Sequence, residues 1–241
     1  MTARERGTAQ ESKRSSFYHG MTWTTLLGLL FIAYNVAVNT GMIRSRASRG
    51  VPVQGVENPE SLVPTARGVV LGEAEAQITI IEFGDFQCPA CEYFSRITKP
   101  QLEAAFVATG RARFVYHDLP LTSLHDHAFL AARAARCAED QGMFWTYHDE
   151  LYRQQERWAV LLDPVDAFVG YAETLAMDTA AFEACLVSDR HTDVVTGNLE
   201  LADLLDLNST PTVLVSIGGE TRRATNRDFQ TIARTVEEMS R

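Results

Sequence analysis

Hydrophobic and polar positions follow two patterns along this chain, and together they predict an α/β domain. Residues 78–83 are a continuous β-branched and aromatic run, which is typical of a strand buried on both faces. A helix is predicted directly after it by apolar residues at helical spacing, which are Tyr93, Phe94, Ile97, Leu102 and Phe106. Residues 111–117 alternate between apolar and polar side chains, so we expect a second strand there, parallel to the first.

Helical spacing then continues for roughly ninety residues, until the next strand pattern begins at Thr212. The predicted helices cover about residues 125–137, 143–152, 163–177, 178–187 and 189–207. Two of them start at a typical N-cap, Asp163 before a proline and Asp178. A stretch of this length is too long for a simple crossover between two strands.

The end of the chain predicts two further strands and a last helix. Pro211 precedes the apolar run at 212–217, where a proline is tolerated because it begins the strand. Two consecutive glycines then turn the chain into a short strand at residues 221–224. Asn226 is expected to cap the final helix.

An uncharged segment near the N-terminus, residues 20–43, is long enough to cross a bilayer as one helix. We therefore expect a transmembrane anchor there, after a cytoplasmic N-terminal segment at residues 1–19. Prolines and a lack of periodicity predict a flexible linker at residues 44–68. The alternative to an anchor is a cleaved signal peptide, although no Ala-x-Ala site follows the apolar core. Basic residues flank the segment on both sides, so the positive-inside rule gives no orientation.

Charge separates the N-terminal region from the rest of the chain. Residues 1–50 hold seven Lys or Arg and two Asp or Glu, a formal charge of +5. Residues 51–241 hold fifteen and twenty-nine, a formal charge of −14, and the whole chain carries −9. This acidity argues against nucleic acid as a partner. The length allows one domain with a substantial core, which we expect over residues 69–241.

The candidate chemistry is concentrated where the first strand gives way to its helix, at Cys88-Pro-Ala-Cys91. A Cys-x-x-Cys at such a junction is typical of a thiol redox site. Cys88 falls at the helix N-terminus, where unpaired N–H groups and the helix dipole favour a thiolate. Cys91, one turn on, is placed to resolve a mixed disulfide. The alternatives are two buried structural cysteines and half of a zinc site, but no second ligand pair recurs. We expect no metal and no cofactor.

The sequence around this motif, Glu82-Phe-Gly-Asp-Phe-Gln-Cys-Pro-Ala-Cys91, resembles the DsbA-like branch of the thioredoxin superfamily. These proteins are extracytoplasmic thiol-disulfide oxidoreductases of bacteria, and the chain is similar to their membrane-anchored actinobacterial members. The resemblance runs from about Val69 to the C-terminus. It implies a thioredoxin fold with an inserted α-helical domain at about residues 120–207, preceded here by an N-terminal transmembrane helix.

The resemblance also implies a role for each residue at the site. Cys88 would exchange disulfides with clients, and Cys91 would resolve the mixed disulfide. Glu82 would be a buried acid that exchanges a proton with Cys91, although a salt-bridged core carboxylate is the alternative. Pro211 would be cis and face the motif, with Thr210 offering its backbone to an extended substrate. The other expected substrate contacts are Pro89, Ala90 and Phe86.

Two further cysteines, Cys137 and Cys185, lie in the predicted insertion, 48 positions apart. They form a structural disulfide, two free buried thiols or a second redox pair. Similar pairs occur in actinobacterial DsbA-like proteins, so the resemblance implies the structural disulfide. Nearby, His125 and His127 lack a ligand partner at a recognisable spacing, and we expect them at the surface or as caps.

The expected activity is that of a membrane-tethered oxidase with its catalytic domain outside the cytoplasm. It would donate the Cys88–Cys91 disulfide to cysteine-containing secreted or envelope proteins. The resemblance implies re-oxidation by an integral membrane partner of the DsbB or vitamin K epoxide reductase type. The alternatives are a reductase or isomerase on the same fold, or a client-binding module without catalysis. No sequence is left over for the dimerisation domain of an isomerase, which argues against that alternative. We expect a monomer.

Overall fold

The computed structural model describes residues 63–241, and five strands of this part form one sheet. The strands are β1 (Val69–Leu71), β2 (Ile78–Gly84), β3 (Ala112–Asp118), β4 (Thr212–Ile217) and β5 (Glu220–Arg223). Their spatial order is β1-β3-β2-β4-β5. Strands β2 and β3 are parallel, and the other neighbours are antiparallel. The predicted N-terminal segment 1–19, the anchor at 20–43 and linker residues 44–62 lie outside the described residues.

Helix α1 follows β2 and consists of the consecutive segments Pro89–Tyr93, Phe94–Thr98, Lys99–Leu102 and Glu103–Val107, the second and fourth being π-helical. The helices between β3 and β4 are α2 (Ala128–Glu139), α3 (Phe144–Arg153), α4 (Gln155–Trp158), α5 (Val165–Thr174), α6 (Thr179–Leu186) and α7 (Thr192–Leu204). Helix α8 (Phe229–Met239) follows β5. Within residues 63–241, no helix is both long and apolar enough to cross a membrane.

Both faces of the sheet are covered, and the helical insertion has a core of its own. Because successive strand residues point to opposite faces, Ile80 packs with α1 and α8 while Ile81 packs with α7. A third apolar cluster lies among the inserted helices around the fully buried Trp158. Cys137 of α2 and Cys185 of α6 are disulfide-bonded across this cluster.

The last residues of the predicted linker, 63–68, pack against α7. Val63 and Ala66 are buried there. Gly197 permits the close approach, because a Cβ at this position would lie 2.4 Å from the Thr65 hydroxyl oxygen. The packed body therefore begins before residue 69, where the sequence pattern placed its start.

Several predicted elements are confirmed, and the differences have local causes. The strands expected at 78–83 and 111–117 are β2 and β3, and they are parallel. Strand β1 has three residues, too few to show a pattern. The expected cap of the last helix is wrong. The side chain of Asp228, not Asn226, accepts the N–H of Thr231.

Candidate redox site

The end of β2 and the start of α1 place the two motif cysteines at different depths. Cys88 is the N-cap of α1 with Pro89 at the first helical position, where its missing N–H costs nothing. The Cys88 carbonyl oxygen accepts the N–H of Cys91 at 3.0 Å. Cys88 keeps 9% of its surface exposed, whereas Cys91 has 0%. Of the two cysteines, only Cys88 therefore keeps any surface open to another protein.

The surroundings of Cys88 favour its thiolate. Its pKa is lowered from 9.0 to about 5, chiefly because the Cys91 thiol donates a hydrogen bond to its sulfur. Thr210 and the backbone N–H groups of Ala90 and Cys91 lower the pKa further, while partial burial opposes them. In this reduced form both cysteines are free thiols. Cys88 is consequently ionised at neutral pH, and a thiolate is the reactive form of cysteine.

The Cys91 thiol behaves in the opposite way. Burial raises its pKa well above 9.0, and its hydrogen bond to Cys88 and the nearby Glu82 charge add to the effect. The Asp85 N–H donates to the Cys91 sulfur at 3.5 Å. Cys91 therefore holds its proton while Cys88 is ionised, and the pair has one nucleophile and one proton donor.

Glu82, in the strand beneath the motif, is a buried acid that stays protonated at neutral pH. It is fully buried, and neither carboxyl oxygen has a hydrogen-bond partner among the described residues. Burial raises its pKa from 4.5 to about 8, against the opposing charge of Lys99. The buried Lys99 ammonium lies 2.6 Å from Glu103 and 3.2 Å from Asp149. Glu82 is thus poised to give or take a proton near pH 7.

The loop between β4 and the preceding helix completes the surface around Cys88. The Thr210–Pro211 peptide is cis. The Cys88 sulfur lies 3.6 Å from the carbonyl oxygen of Thr210. The register that pairs Phe83 of β2 with Thr212 of β4 places this loop beside the motif. The structure therefore brings together Cys88, Thr210 and Pro211, as expected.

Asp85, directly after β2, connects the loop before the motif to the insertion. Its fully buried carboxylate accepts the N–H of Gln87 at 2.7 Å and of Leu121 at 2.8 Å. His125 Nδ1 lies 2.7 Å from the same carboxylate. Asp85 thus fixes the loop before the motif to the start of the insertion. The signal available in the sequence was an acid directly after a buried strand.

The insertion also reaches under the motif, through residues that no sequence pattern identified. The Gln155 amide donates to the carbonyl oxygens of Phe86 and Cys88 at 2.7 and 3.0 Å. Phe86 is only 1% exposed and packs against Tyr116, Tyr152 and His148. This places Phe86 in the core beneath the motif, not at the substrate-facing surface where it was expected. Of the other expected contacts, Pro89 is exposed and Ala90 partly exposed.

Donor atoms of metal-ligand type meet at one point among residues 63–241. The nearest atoms of Cys137, Cys185 and His191 lie within 4.8 Å of one another. Both sulfurs are already bonded to each other, so this group serves as a structural link between α2 and α6.

Comparison with known proteins identifies a family and a fold. The thioredoxin family model matches residues 65–238. The Na(+)/H(+) antiporter NhaA 1 of Salinispora arenicola is 36% identical over 173 residues, which are 72% of this chain and 25% of that protein. The chain spans about a quarter of the length of its antiporter relatives. The probable disulfide bond formation protein D of Bacillus anthracis is 23% identical over 219 residues, covering 88% of this chain and 94% of the relative.

Two solved structures share the architecture described above. Oxidised BdbD from Bacillus subtilis has a TM-score of 0.65 at 23% identity, covering 78% of this chain and 97% of BdbD. Wolbachia pipientis α-DsbA1 has a TM-score of 0.63 at 19% identity, covering 75% of this chain and 94% of its own. The described residues therefore have the thioredoxin-like α/β fold with a helical insertion.

Proposed function

The chain belongs to the thioredoxin family, and we propose that it is an extracytoplasmic thiol-disulfide oxidoreductase that oxidises cysteine pairs of secreted or envelope proteins. One observation carries the proposal. An accessible sulfur whose pKa is lowered to about 5 lies against a buried sulfur whose pKa is raised. This asymmetry is what disulfide exchange through a mixed disulfide requires. A relative named disulfide bond formation protein D supports it.

The proposed reaction transfers two electrons from the client to the cysteine pair. A client thiolate attacks the Cys88 sulfur of the oxidised protein, the Cys88–Cys91 bond breaks, and Cys91 leaves with the electron pair. Glu82 supplies the proton that Cys91 takes up. The second client thiolate then attacks the client sulfur of the mixed disulfide, and Cys88 leaves as a thiolate. The low pKa of Cys88 favours this last step because a weakly basic thiolate is a good leaving group.

Location and partners follow from the same proposal. The body acts outside the cytoplasm, held at the membrane by residues 20–43, and an integral membrane protein of the DsbB or vitamin K epoxide reductase type re-oxidises it. The uncharged segment supports this placement. The similarity to relatives named Na(+)/H(+) antiporter also supports a location at the membrane.

The direction of electron flow is tested by the reduction potential of the Cys88–Cys91 pair, measured by equilibration with glutathione. Because the thiolate stabilises the reduced form, we expect a potential at or above about −180 mV. Thiol trapping and mass spectrometry should follow Cys137 and Cys185 separately. A potential near about −270 mV would instead match a reductant and reverse the proposed flow.

Catalysis itself is tested with a reduced two-cysteine peptide and the oxidised protein. The wild-type protein should form the peptide disulfide, whereas Cys88→Ser should not. Cys91→Ser cannot hold the oxidising disulfide, so it is first bonded to glutathione through Cys88. A one-cysteine version of the peptide should then displace glutathione and remain on Cys88 as a mixed disulfide. Full activity of Cys88→Ser in vivo would favour the client-binding module.

A further inference from the structure

An arginine pair lies at the same end of the sheet as Cys88. Strand β2 ends there, β4 begins there, and β5 ends there with Arg223 opposite Leu214. Neighbouring strands lie about 4.8 Å apart, so β5 is displaced by about 10 Å from β2. Arg227 follows four residues after Arg223, in the loop before α8.

These arginines line a small polar cavity beside the redox site. The cavity has a volume of about 180 Å³, and Pro211, Thr212, Asn226 and both arginines are among its lining residues. It shares Pro211 with the surface around Cys88. One lining group is already oriented, because Arg223 Nη2 donates to the Thr212 hydroxyl at 3.2 Å.

The charge of the cavity is not neutralised by the protein. Among residues 63–241, neither Arg223 nor Arg227 forms an ion pair with an acid. The nearby acids are otherwise engaged. Glu220 pairs with Arg222, and the Asp228 carboxylate accepts the N–H and hydroxyl of Thr231. Both arginines are exposed, on a body that is strongly acidic as a whole.

A client held on Cys88 passes within reach of this cavity. A disulfide holds the two Cα atoms about 4.4–6.8 Å apart, and each extended residue adds up to about 3.5 Å. Client residues two or three positions from the bonded cysteine can therefore reach the arginines. A planar guanidinium matches the geometry of a carboxylate, with two parallel hydrogen bonds.

We propose that Arg223 and Arg227 receive an Asp or Glu side chain of the client, so that the protein prefers cysteines with an acid two or three residues away. This inference rests on the proposed function, since it names the class of client for the same site. The arginines position the client and take no part in bond exchange.

The test compares reduced two-cysteine peptides that carry Glu, Gln or Lys two or three residues from the attacking cysteine, on either side. The oxidation rate of each peptide is expressed relative to its Gln version. For the wild-type protein we expect the Glu peptide on the favoured side to react about fivefold faster, the scale of two exposed ion pairs. The preference should fall as salt is added, because exposed charges are screened.

Variants assign the preference to the cavity. The ratio should approach one in R223Q/R227Q and invert towards Lys in R223E/R227E. The matched control is R111Q/R234Q, which removes two exposed arginines outside the cavity. Arg111 precedes β3 at the opposite end of the sheet, and Arg234 lies on α8. This control should keep the wild-type ratio. Equal rates for all three wild-type peptides, or the same loss in the control, would overturn the inference.

A second readout separates this inference from the proposed function. The exchange between the glutathione mixed disulfide of Cys91→Ser and a one-cysteine version of each peptide, which releases glutathione, needs no turnover. A Glu preference in that exchange, with no oxidation by the wild-type protein, would keep the acid-binding cavity and reject the oxidase. Oxidation without any charge preference in either assay would keep the oxidase and reject the cavity.

Discussion

The two thiols of the motif act together, because a hydrogen bond from Cys91 lowers the pKa of Cys88. Because the pKa of Cys88 is lowered to about 5, we expect the reduced protein to lose one thiol proton near that pH. Ultraviolet thiolate absorbance followed against pH measures this step. The second sulfur should stay protonated to well above pH 9, since burial raises the pKa of Cys91.

Two variants check that assignment. Cys88→Ala should remove the acidic step altogether. Cys91→Ala should move it to higher pH, because the largest cause of the low pKa of Cys88 is the hydrogen bond from Cys91. A wild-type step close to pH 9 would contradict the arrangement.

Glu82 predicts a second residue-scale effect, on stability. Its pKa is about 8 in the folded protein and 4.5 without burial, so the folded state holds a proton that the unfolded state releases between these values. Stability from this group is fully present below about pH 4.5 and is lost as pH rises through about 8. Glu82→Gln should remove that loss and be the more stable protein at pH 8, as measured by urea unfolding.

The same variant should slow client oxidation, because an amide at this position cannot supply a proton to Cys91. Glu92→Gln is a suitable control, since Glu92 pairs with Arg96 at the surface. It should leave both the pH profile of stability and the oxidation rate unchanged. A Glu82→Gln protein with a wild-type pH profile of stability would show that Glu82 is ionised when folded.

Among the secondary-structure elements, a buried ion pair connects the inserted helix α2 to strand β3 of the sheet. Arg136 of α2 donates from Nε and Nη2 to the Asp118 carboxylate at the end of β3, at 2.8 and 2.6 Å. Both side chains are fully buried. Arg136→Met should cost about 3–5 kcal/mol of unfolding free energy, because it leaves a buried carboxylate without its partner. Urea unfolding measures the loss.

The double variant Asp118→Asn/Arg136→Met distinguishes the free-energy cost of the unpaired buried carboxylate from the cost of lost packing. It should recover a large part of the stability, since an amide is less costly to bury than an unpaired carboxylate. No recovery would mean that the guanidinium stabilises this junction through its other contacts, such as the carbonyl oxygen of Arg67.

The elements differ in how much of them the sequence could predict. Strands β2 and β3 followed from their own hydrophobic pattern, because both are long and buried. In α1 the spacing placed Tyr93 and Ile97 on the buried face, yet they are 58% and 46% exposed. The buried face of α1 keeps helical spacing, but it includes polar residues that a hydrophobic pattern leaves out; its buried residues are Cys91, Phe94, Ser95, Thr98, Lys99, Leu102 and Phe106.

The residues of the candidate site also differ in whether the sequence alone could identify them. Cys88, Cys91 and Glu82 lie within ten consecutive residues, so a local pattern could find them. Lys99 and Gln155 act on the site only because α1 and α4 pack against it. Contacts of this kind depend on tertiary packing, which residue spacing does not encode.

At the scale of the whole molecule, the ionised Cys88 links redox state to global stability. In the reduced protein the pKa of Cys88 is about 5 when folded and 9.0 when unfolded, so its contribution is fully present above about pH 9 and lost as pH falls through about 5. The oxidised protein has no Cys88 thiol to titrate. We therefore expect the reduced form to gain stability over the oxidised form as pH rises from 5 to 7.

Urea unfolding of both redox forms at several pH values measures this difference, with Cys137–Cys185 kept bonded in every sample and verified by thiol trapping. The oxidised series is the internal control, because groups such as Glu82 titrate in both forms. A thiolate that stabilises the reduced fold also makes the disulfide more oxidising, since the two effects are sides of one thermodynamic cycle. If the stability difference between the reduced and oxidised forms stayed constant from pH 5 to pH 7, the Cys88 thiolate would not stabilise the reduced form. The disulfide would then lack the oxidising strength that the proposed function requires, whatever the client.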